Sequence, residues 1–282
     1  MSWLPDINLL VFMMKKSLFF ALIIAILGSC KNSSEPDLTS VERTYELGNS
    51  QKAHEELNRY LQKDSTNALT YFTQGNLYAG DGNHKEAIAS FTKCLKLKPD
   101  YATAYNNRGY SALALGSPVE AIADFKKALS LAPKFSQAYN NLGLAYKQTG
   151  EINLALTNFK LAVAENPNYA DAHYNIANTL LMIGRYKEAI LNFDKVIVLA
   201  PNYAEAYHGK AVAQYQLHQF ELAVLSESKA IENNPNYGQA WYGRGLSYLK
   251  TNQRENACSD FRAALNLGIQ DAGAMIDDVC NK

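Results

Sequence analysis

The chain has 282 residues and carries 27 basic and 27 acidic side chains. A balance of zero gives no sign of the strongly basic face through which proteins gain counterion-release energy from nucleic acid, so no nucleic-acid partner is expected and none is selected by bulk charge. The length admits one or two globular domains, or one elongated domain if the sequence repeats.

The N-terminus comes first in chain order. Met14-Lys15-Lys16 is followed by an apolar run from Ser17 to Leu27. The run is too short to span a bilayer comfortably, for which about 20 residues are needed, and it has the layout of a secretory signal. Residues 1–29 are therefore read as a signal peptide whose true start is Met13 or Met14, because a signal does not open with the twelve residues before them. Leu27-Gly28-Ser29-Cys30 resembles the bacterial lipoprotein processing box. The resemblance implies that Cys30 becomes the lipidated N-terminus and holds the protein on a membrane, with about 0.8 kcal/mol per buried acyl methylene. The other reading is an uncleaved anchor or buried helix with a chance cysteine. Residues 30–37, continuing as KNSSEPD, are polar and read as a tether. Lys31 behind the cysteine, by resemblance to enterobacterial sorting, points to the outer membrane and the periplasm.

Beyond the tether the prolines set a ruler. Pro99, Pro133, Pro167, Pro201 and Pro235 are 34 residues apart, and Tyr101, Phe135, Tyr169, Tyr203 and Tyr237 each follow two residues later. Counting every repeat from the third residue after its proline, position 20 is Ala87, Ala121, Ala155, Ala189, Ala223 and Ala257, with Ala53 one period earlier. Position 24 is Leu57, Phe91, Phe125, Phe159, Phe193, Glu227 and Phe261, and position 8 is Gly75, Gly109, Gly143, Ala177, Ala211 and Gly245. A fixed period of this size marks stacked supersecondary units.

Tyr139, Leu142, Gly143, Tyr146, Ala155, Phe159 and Pro167 of the central copy resemble the tetratricopeptide repeat. The resemblance covers about residues 36–269 and implies an all-α fold: a right-handed superhelix of about seven antiparallel helix pairs. A degenerate leading unit over residues 38–61 is followed by the first to sixth repeats, over 68–101, 102–135, 136–169, 170–203, 204–237 and 238–271. In each, positions 1–14 and about 17–30 are the two helices. Gly82, Gly116, Gly150 and Gly184 suit the interhelical turn, and Ser117-Pro118-Val119-Glu120 offers a helix N-cap. The fifth repeat departs from the pattern: Lys210 and Gln214 stand at apolar positions and Glu227 at the aromatic one. Residues 270–282 read as a capping helix, with Ala274, Met275 and Val279 on its buried side.

Cys94 takes the place of Ala128, Ala162, Ala230 and Ala264 and reads as a small core residue. Cys258 and Cys280 are placed either to bridge in an oxidising compartment or to remain two buried thiols. No two of the five histidines form a close pair with a carboxylate between them, and HExxH, CxxC and phosphate-loop motifs are absent from the sequence. No metal, cofactor or small-molecule substrate is expected, and no nucleophile has a base beside it.

By the family resemblance, positions 2, 5, 6, 9, 12 and 13 of each first helix face a concave groove. Position 6 holds Asn107, Asn141 and Asn175, with Asn106 and Asn140 adjacent. An asparagine amide both donates and accepts and so matches an extended peptide backbone, although the same run also fits plain packing consensus. Phe72, Tyr110, Tyr174, Asn178, His208, Tyr215 and Tyr242 complete the candidate groove. Thr103, Gln137 and Asp171 at position 2 leave it without the basic clamp that would take a chaperone C-terminus. The expected function is a membrane-anchored adaptor that binds a peptide or protein segment and is not an enzyme. The alternative is an assembly or pilot lipoprotein of an envelope complex such as a pilus or secretin, working through the convex face or the ends.

Overall fold

The computed structural model describes residues 37–281, and its regular structure among these is entirely helical. A leading pair, α1 (Thr39–Glu46) and α2 (Ser50–Lys63), precedes six hairpins: α3 (Ala68–Gly80) with α4 (His84–Leu97), α5 (Ala102–Ala114) with α6 (Pro118–Leu131), and α7 (Ser136–Gln148) with α8 (Ile152–Glu165). Then come α9 (Ala170–Met182) with α10 (Tyr186–Leu199), α11 (Ala204–Gln216) with α12 (Phe220–Asn233), and α13 (Gly238–Lys250) with α14 (Arg254–Asn266). The chain closes on α15 (Asp271–Met275) and a π-helical turn, Ile276–Cys280.

The prolines end the second helices by a steric route. The ring of a proline pushes the residue before it out of the helical region, and Lys98, Ala132, Asn166, Ala200 and Asn234 have φ between −134° and −143°. The leading pair has no proline here. At the equivalent position Asp64 accepts from the backbone N–H and the hydroxyl of Thr66, at 2.8 and 2.7 Å, and this side-chain turn stops α2 instead.

Between the two helices of a pair the chain needs one left-handed residue. Gly48, Gly82, Gly116, Gly150 and Gly184 supply it with φ of 75° to 83°, whereas His218 and Asn252 take φ of 59° and 60° in the last two repeats. The turn is closed by bonds such as Asn83 N–H to the Tyr78 carbonyl, 2.8 Å, and Gly82 N–H to Ala79, 3.1 Å. Pro118 opens α6 as expected, but the Ser117 side chain makes no cap bond. A side chain caps α3 instead: Asn67 Oδ1 accepts from the N–H groups of Leu69 and Thr70.

The described residues divide into two compact units, 37–132 and 133–281. A repeat array has no central core to hold distant units together, since each repeat packs on its neighbours. Within the first unit Ala53, Ala87 and Ala121 are fully buried, as are Leu57, Phe91 and Phe125; within the second so are Ala155, Ala189, Ala257, Phe159, Phe193 and Phe261, with Ala223 nearly so. The alanines let paired helices approach closely, and each ring removed from water contributes roughly 2–3 kcal/mol.

The end of the chain corrects one expectation. Ala272 is buried and Ala274 is exposed, and Met275, Ile276 and Cys280 pack on Leu246, Ala257, Phe261 and Ala264. The π-helical turn shifts the register, so the buried face does not follow a plain helical count. Cys258 on α14 is joined to Cys280, with the Cα atoms 5.7 Å apart.

Candidate functional site

The position-24 ring needs a seat without a Cβ, and the chain provides it in two ways. In the first, second, third and sixth repeats the seat is the glycine at position 8 of the same repeat. A methyl on Gly143, for example, would stand 2.6 Å from the Phe159 ring and 3.1 Å from the Ala155 carbonyl oxygen. In the fourth repeat position 8 is Ala177, and the Phe193 ring lies instead against Gly209, position 6 of the fifth repeat. The fifth repeat, with Ala211 at position 8, likewise seats Glu227 against Gly243 of the sixth. The run of asparagines at position 6 therefore stops at Asn175 for a steric reason: the next two positions in register must be glycine.

The asparagines are bonded to one another, but not all in the expected register. In the first unit Asn107 Nδ2 donates to Asn76 Oδ1 at 2.8 Å, and Asn106 Nδ2 donates to Asn107 Oδ1 at 3.1 Å. In the second unit Asn175 Nδ2 donates to Asn140 Oδ1 at 2.8 Å, so position 6 of one repeat meets position 5 of the repeat before. Asn106, Asn107 and Asn140 are buried. These three are supports of the first-helix face and not part of its surface, which corrects their placement as groove contacts. They lie in the crease where adjacent first helices pack, and Asn76 and Asn140 were invisible as their partners because position number alone does not give the tilt between helices. Tyr110, Asn141, Tyr174, Asn175, Asn178, His208, Tyr215 and Tyr242 remain partly exposed, whereas Phe72 is buried.

Rings at positions 5, 24 and 34 form a repeating trio. Phe72 meets Phe91 at 5.9 Å and Tyr101 at 4.8 Å between centroids, and Tyr174 meets Phe193 at 6.0 Å and Tyr203 at 5.0 Å. In the fifth repeat the trio becomes His208, Glu227 and Tyr237. His208 Nδ1 lies 3.0 Å from both carboxylate oxygens of Glu227, and its ring stands edge-on to Tyr237 at 5.2 Å. Glu227 is only 2% exposed. Burial works against a charged imidazole at His208, and the Glu227 carboxylate, with Glu205 beyond it, outweighs burial and raises the pKa. Burial raises Glu227 as well, while His208 and Arg244 pull it down and Asp260 adds to the rise. Gln214 is buried too, and accepts from the Ser226 hydroxyl at 2.7 Å. The irregular repeat is thus packed, with polar groups in partnered positions.

The pairing of position 7 across repeats went unread in the sequence. Arg108 grips Asp124 with two bonds of 2.8 and 2.7 Å and reaches Thr92 of the preceding repeat at 3.1 Å. Arg244 repeats this four periods later, with Asp260 at 2.7 and 2.9 Å and Ser228 at 3.1 Å. Lys210 at the same position bonds Asp194 of the preceding repeat at 2.8 Å. Position 7 is an inter-repeat staple, polar in these three repeats and apolar in the third and fourth, where Leu142 and Ile176 are buried. An arginine at position 7 with an aspartate at position 23 was the available signal.

Models of the tetratricopeptide repeat match the sequence over residues 72–134, 125–157, 145–184, 170–203 and 238–267. The chain is a tetratricopeptide-repeat protein. No curated protein matches it. Among solved structures, the Cut9 and Hcn1 hetero-tetramer of APC/C aligns with a TM-score of 0.70 at 17% identity over 88% of this chain. The chain spans half the length of that match. PilW, described as a type IV pilus biogenesis factor, aligns at 0.68 and 23% identity over 75% of this chain and 98% of its own. YrrB, described as a repeat protein with an unusual peptide-binding site, aligns at 0.53 and 26% identity over 65% of this chain and 95% of its own.

The tetratricopeptide fold is a scaffold for protein interaction. Among the described residues no group of three or more potential metal ligands is found, and no helix is long and apolar enough to cross a membrane. Cys94 is a buried free thiol whose pKa burial pushes up to about 11. Residues 1–29, expected to be a signal peptide, Cys30, and the expected tether up to Pro36 lie outside the described residues.

Proposed function

We propose that this protein is an adaptor that lays an extended segment of a partner protein along its first helices. The observation that carries this reading is the half-exposed set Asn141, Tyr174, Asn175 and Asn178 on α7 and α9, fixed from beneath by the Asn140–Asn175 bond. An amide has two N–H groups and two lone pairs. The single bond between Asn175 and Asn140 orients both while leaving the Asn175 carbonyl capacity to meet a backbone N–H. Likeness to YrrB, which has a peptide-binding site, supports the same reading.

The lipobox-like Leu27-Gly28-Ser29-Cys30 supports a lipid anchor at Cys30, and the Cys258–Cys280 bridge fits an oxidising compartment such as the periplasm. The lysine behind the cysteine supports attachment to the outer membrane. Mass spectrometry of the N-terminal peptide tests the anchor: an acylated Cys30 is expected, and an unmodified thiol removes it.

A second reading rests on a different surface. On the second helices of residues 133–282, Leu154 and Leu161, Leu191 and Val198, and Leu222 and Leu225 are exposed at one-face spacings along α8, α10 and α12. This favours an assembly or pilot role through the second-helix face. Photo-crosslinkers placed singly at Asn178 and at Leu225 in the native envelope separate the two. Adducts at Asn178, competed by the isolated partner segment, are expected for the adaptor; adducts at Leu225 alone support assembly.

A further inference from the structure

Past the sixth repeat the sequence keeps the period while the structure leaves it. Position 3 is Thr70, Ala104, Ala138, Ala172, Ala206 and Ala240 in the six repeats, each buried to 1% exposure or less. The next residue in register is Ala274, and it is exposed, while Ala272 takes the buried place. Helical residues two apart point about 200° away from each other around the axis, so one helix cannot bury both. Position 7 continues as Asp278, and position 25 of the sixth repeat is Arg262. Lys210 and Asp194 pair at these same two positions with the charges exchanged. Arg262 nevertheless is exposed and has no ion pair among the described residues.

The path into α15 is fixed at its start. Leu267 and Ile269 lie against Gly238, where a methyl would stand 2.8 Å from the Ile269 side chain. The far end is fixed by Cys280, which is joined to Cys258 and packs with Met275 and Ile276 on Leu246, Ala257, Phe261 and Ala264. Between these two points α15 gives way to the π-helical turn Ile276–Cys280. That form is rare, occurs mostly as single turns, and is frequent at functional sites.

We infer that the Cys258–Cys280 bridge is a redox switch between two registers of residues 271–280. Bridged, Ala272 faces in. Reduced, the segment turns so that Ala274 takes the position-3 seat and Asp278 meets Arg262, as the start of a seventh first helix. The reductant is a dithiol of the thiol–disulfide oxidoreductase class. One of its thiolates attacks Sγ of Cys280, the less buried of the two cysteines; the sulfur–sulfur bond breaks, and Cys258 leaves as a thiolate that takes up a proton. The second thiolate displaces Cys280 from the mixed disulfide, and Cys280 is protonated in turn, so two electrons pass to the chain and the dithiol ends as a disulfide. The switch does not depend on what the first helices bind.

The test follows amide exchange of residues 271–280 by mass spectrometry on the full chain in detergent, either oxidised or treated with dithiothreitol, with free thiols counted by alkylation. Ala272→Asp is expected to speed that exchange at least tenfold in the bridged chain and less than twofold in the reduced one; Ala274→Asp should do the reverse. Arg262→Ala should act on the reduced chain alone. Cys258→Ser with Cys280→Ser, never exposed to reductant, should behave as the reduced chain does, and unchanged exchange in α13 and α14 confirms that the hairpin beneath is intact. Sensitivity that stays with Ala272 after reduction overturns the switch and assigns the register to the contact at Gly238. Fast exchange of the whole segment after reduction, indifferent to either aspartate, overturns it too and leaves the bridge as a plain staple.

Discussion

The fourth and fifth repeats have the same backbone and opposite interiors. In the fourth, Tyr174 packs its ring on Phe193 and Tyr203; in the fifth, His208 and Glu227 make an ion pair and Lys210 reaches back to Asp194. The contrast shows what the 34-residue period specifies. It fixes helix ends, turns and the close alanine contacts, and it leaves position 24 open to a ring or a carboxylate, provided position 5 changes with it while position 6 of the next repeat stays glycine, as at Gly209 and Gly243. A buried pair of this kind is costly to desolvate and gives little net stability over an apolar set of similar volume.

The sharpest way to break the comparison is to remove one member. His208→Leu leaves the Glu227 carboxylate buried without its partner, and a loss of about 3 kcal/mol is expected at neutral pH from the usual cost of orphaning such a charge, read by denaturant unfolding. Copying the fourth repeat into the fifth should do the reverse. His208→Tyr with Glu227→Phe rebuilds the aromatic trio over Gly243, as Phe193 sits over Gly209, and a gain of about 2 kcal/mol is expected. A double-mutant cycle with the single variants checks that the gain belongs to the pair.

Gly143→Ala forces a methyl into the Phe159 ring and should cost about 1–2 kcal/mol in melting experiments. Adding Asn175→Gly gives that ring the seat used by Phe193, and part of the loss should return despite the lost asparagine bond. No recovery would refute the two-seat rule.

Smaller is the pH trend. His208 and Glu227 both have folded pKa values above their ordinary 6.5 and 4.5. Each group therefore contributes stability that is full below its ordinary value and is lost as pH rises through the folded one. The fifth repeat should loosen relative to the fourth as pH is raised above 6.5, and only a chain that keeps both His208 and Glu227 should show it. Amide exchange in α11 and α12, corrected for intrinsic rate, is the measurement. A chain with His208→Tyr and Glu227→Phe that keeps the same trend would place its origin elsewhere.

Much of the fold was legible because its signals are local and repeated. Pro133 ends α6 by pushing Ala132 out of the helix, and Gly116 turns the chain because its φ is 76°; both effects act within a few residues. The division at Ala132 and the buried face of the last helix were not legible, since the first depends on how contacts cluster and the second on a π-helical shift. The candidate surface was half readable. Counting positions placed Asn141, Tyr174 and Asn175 on a face where they are partly exposed, but it assigned Asn106, Asn107 and Asn140 outward when they are buried. Glu227 was visible as an oddity and His208 only as a groove candidate, and side-chain placement across 19 residues joined them.

The seat that Gly209 gives to Phe193 bears on how such a chain can be rearranged by duplication or crossover. A copy of the fourth repeat inserted ahead of the third would set its phenylalanine against Asn141, where no room exists, whereas the fourth and fifth moved with the sixth would carry their accommodation along. The heritable module here is longer than the repeat that defines it.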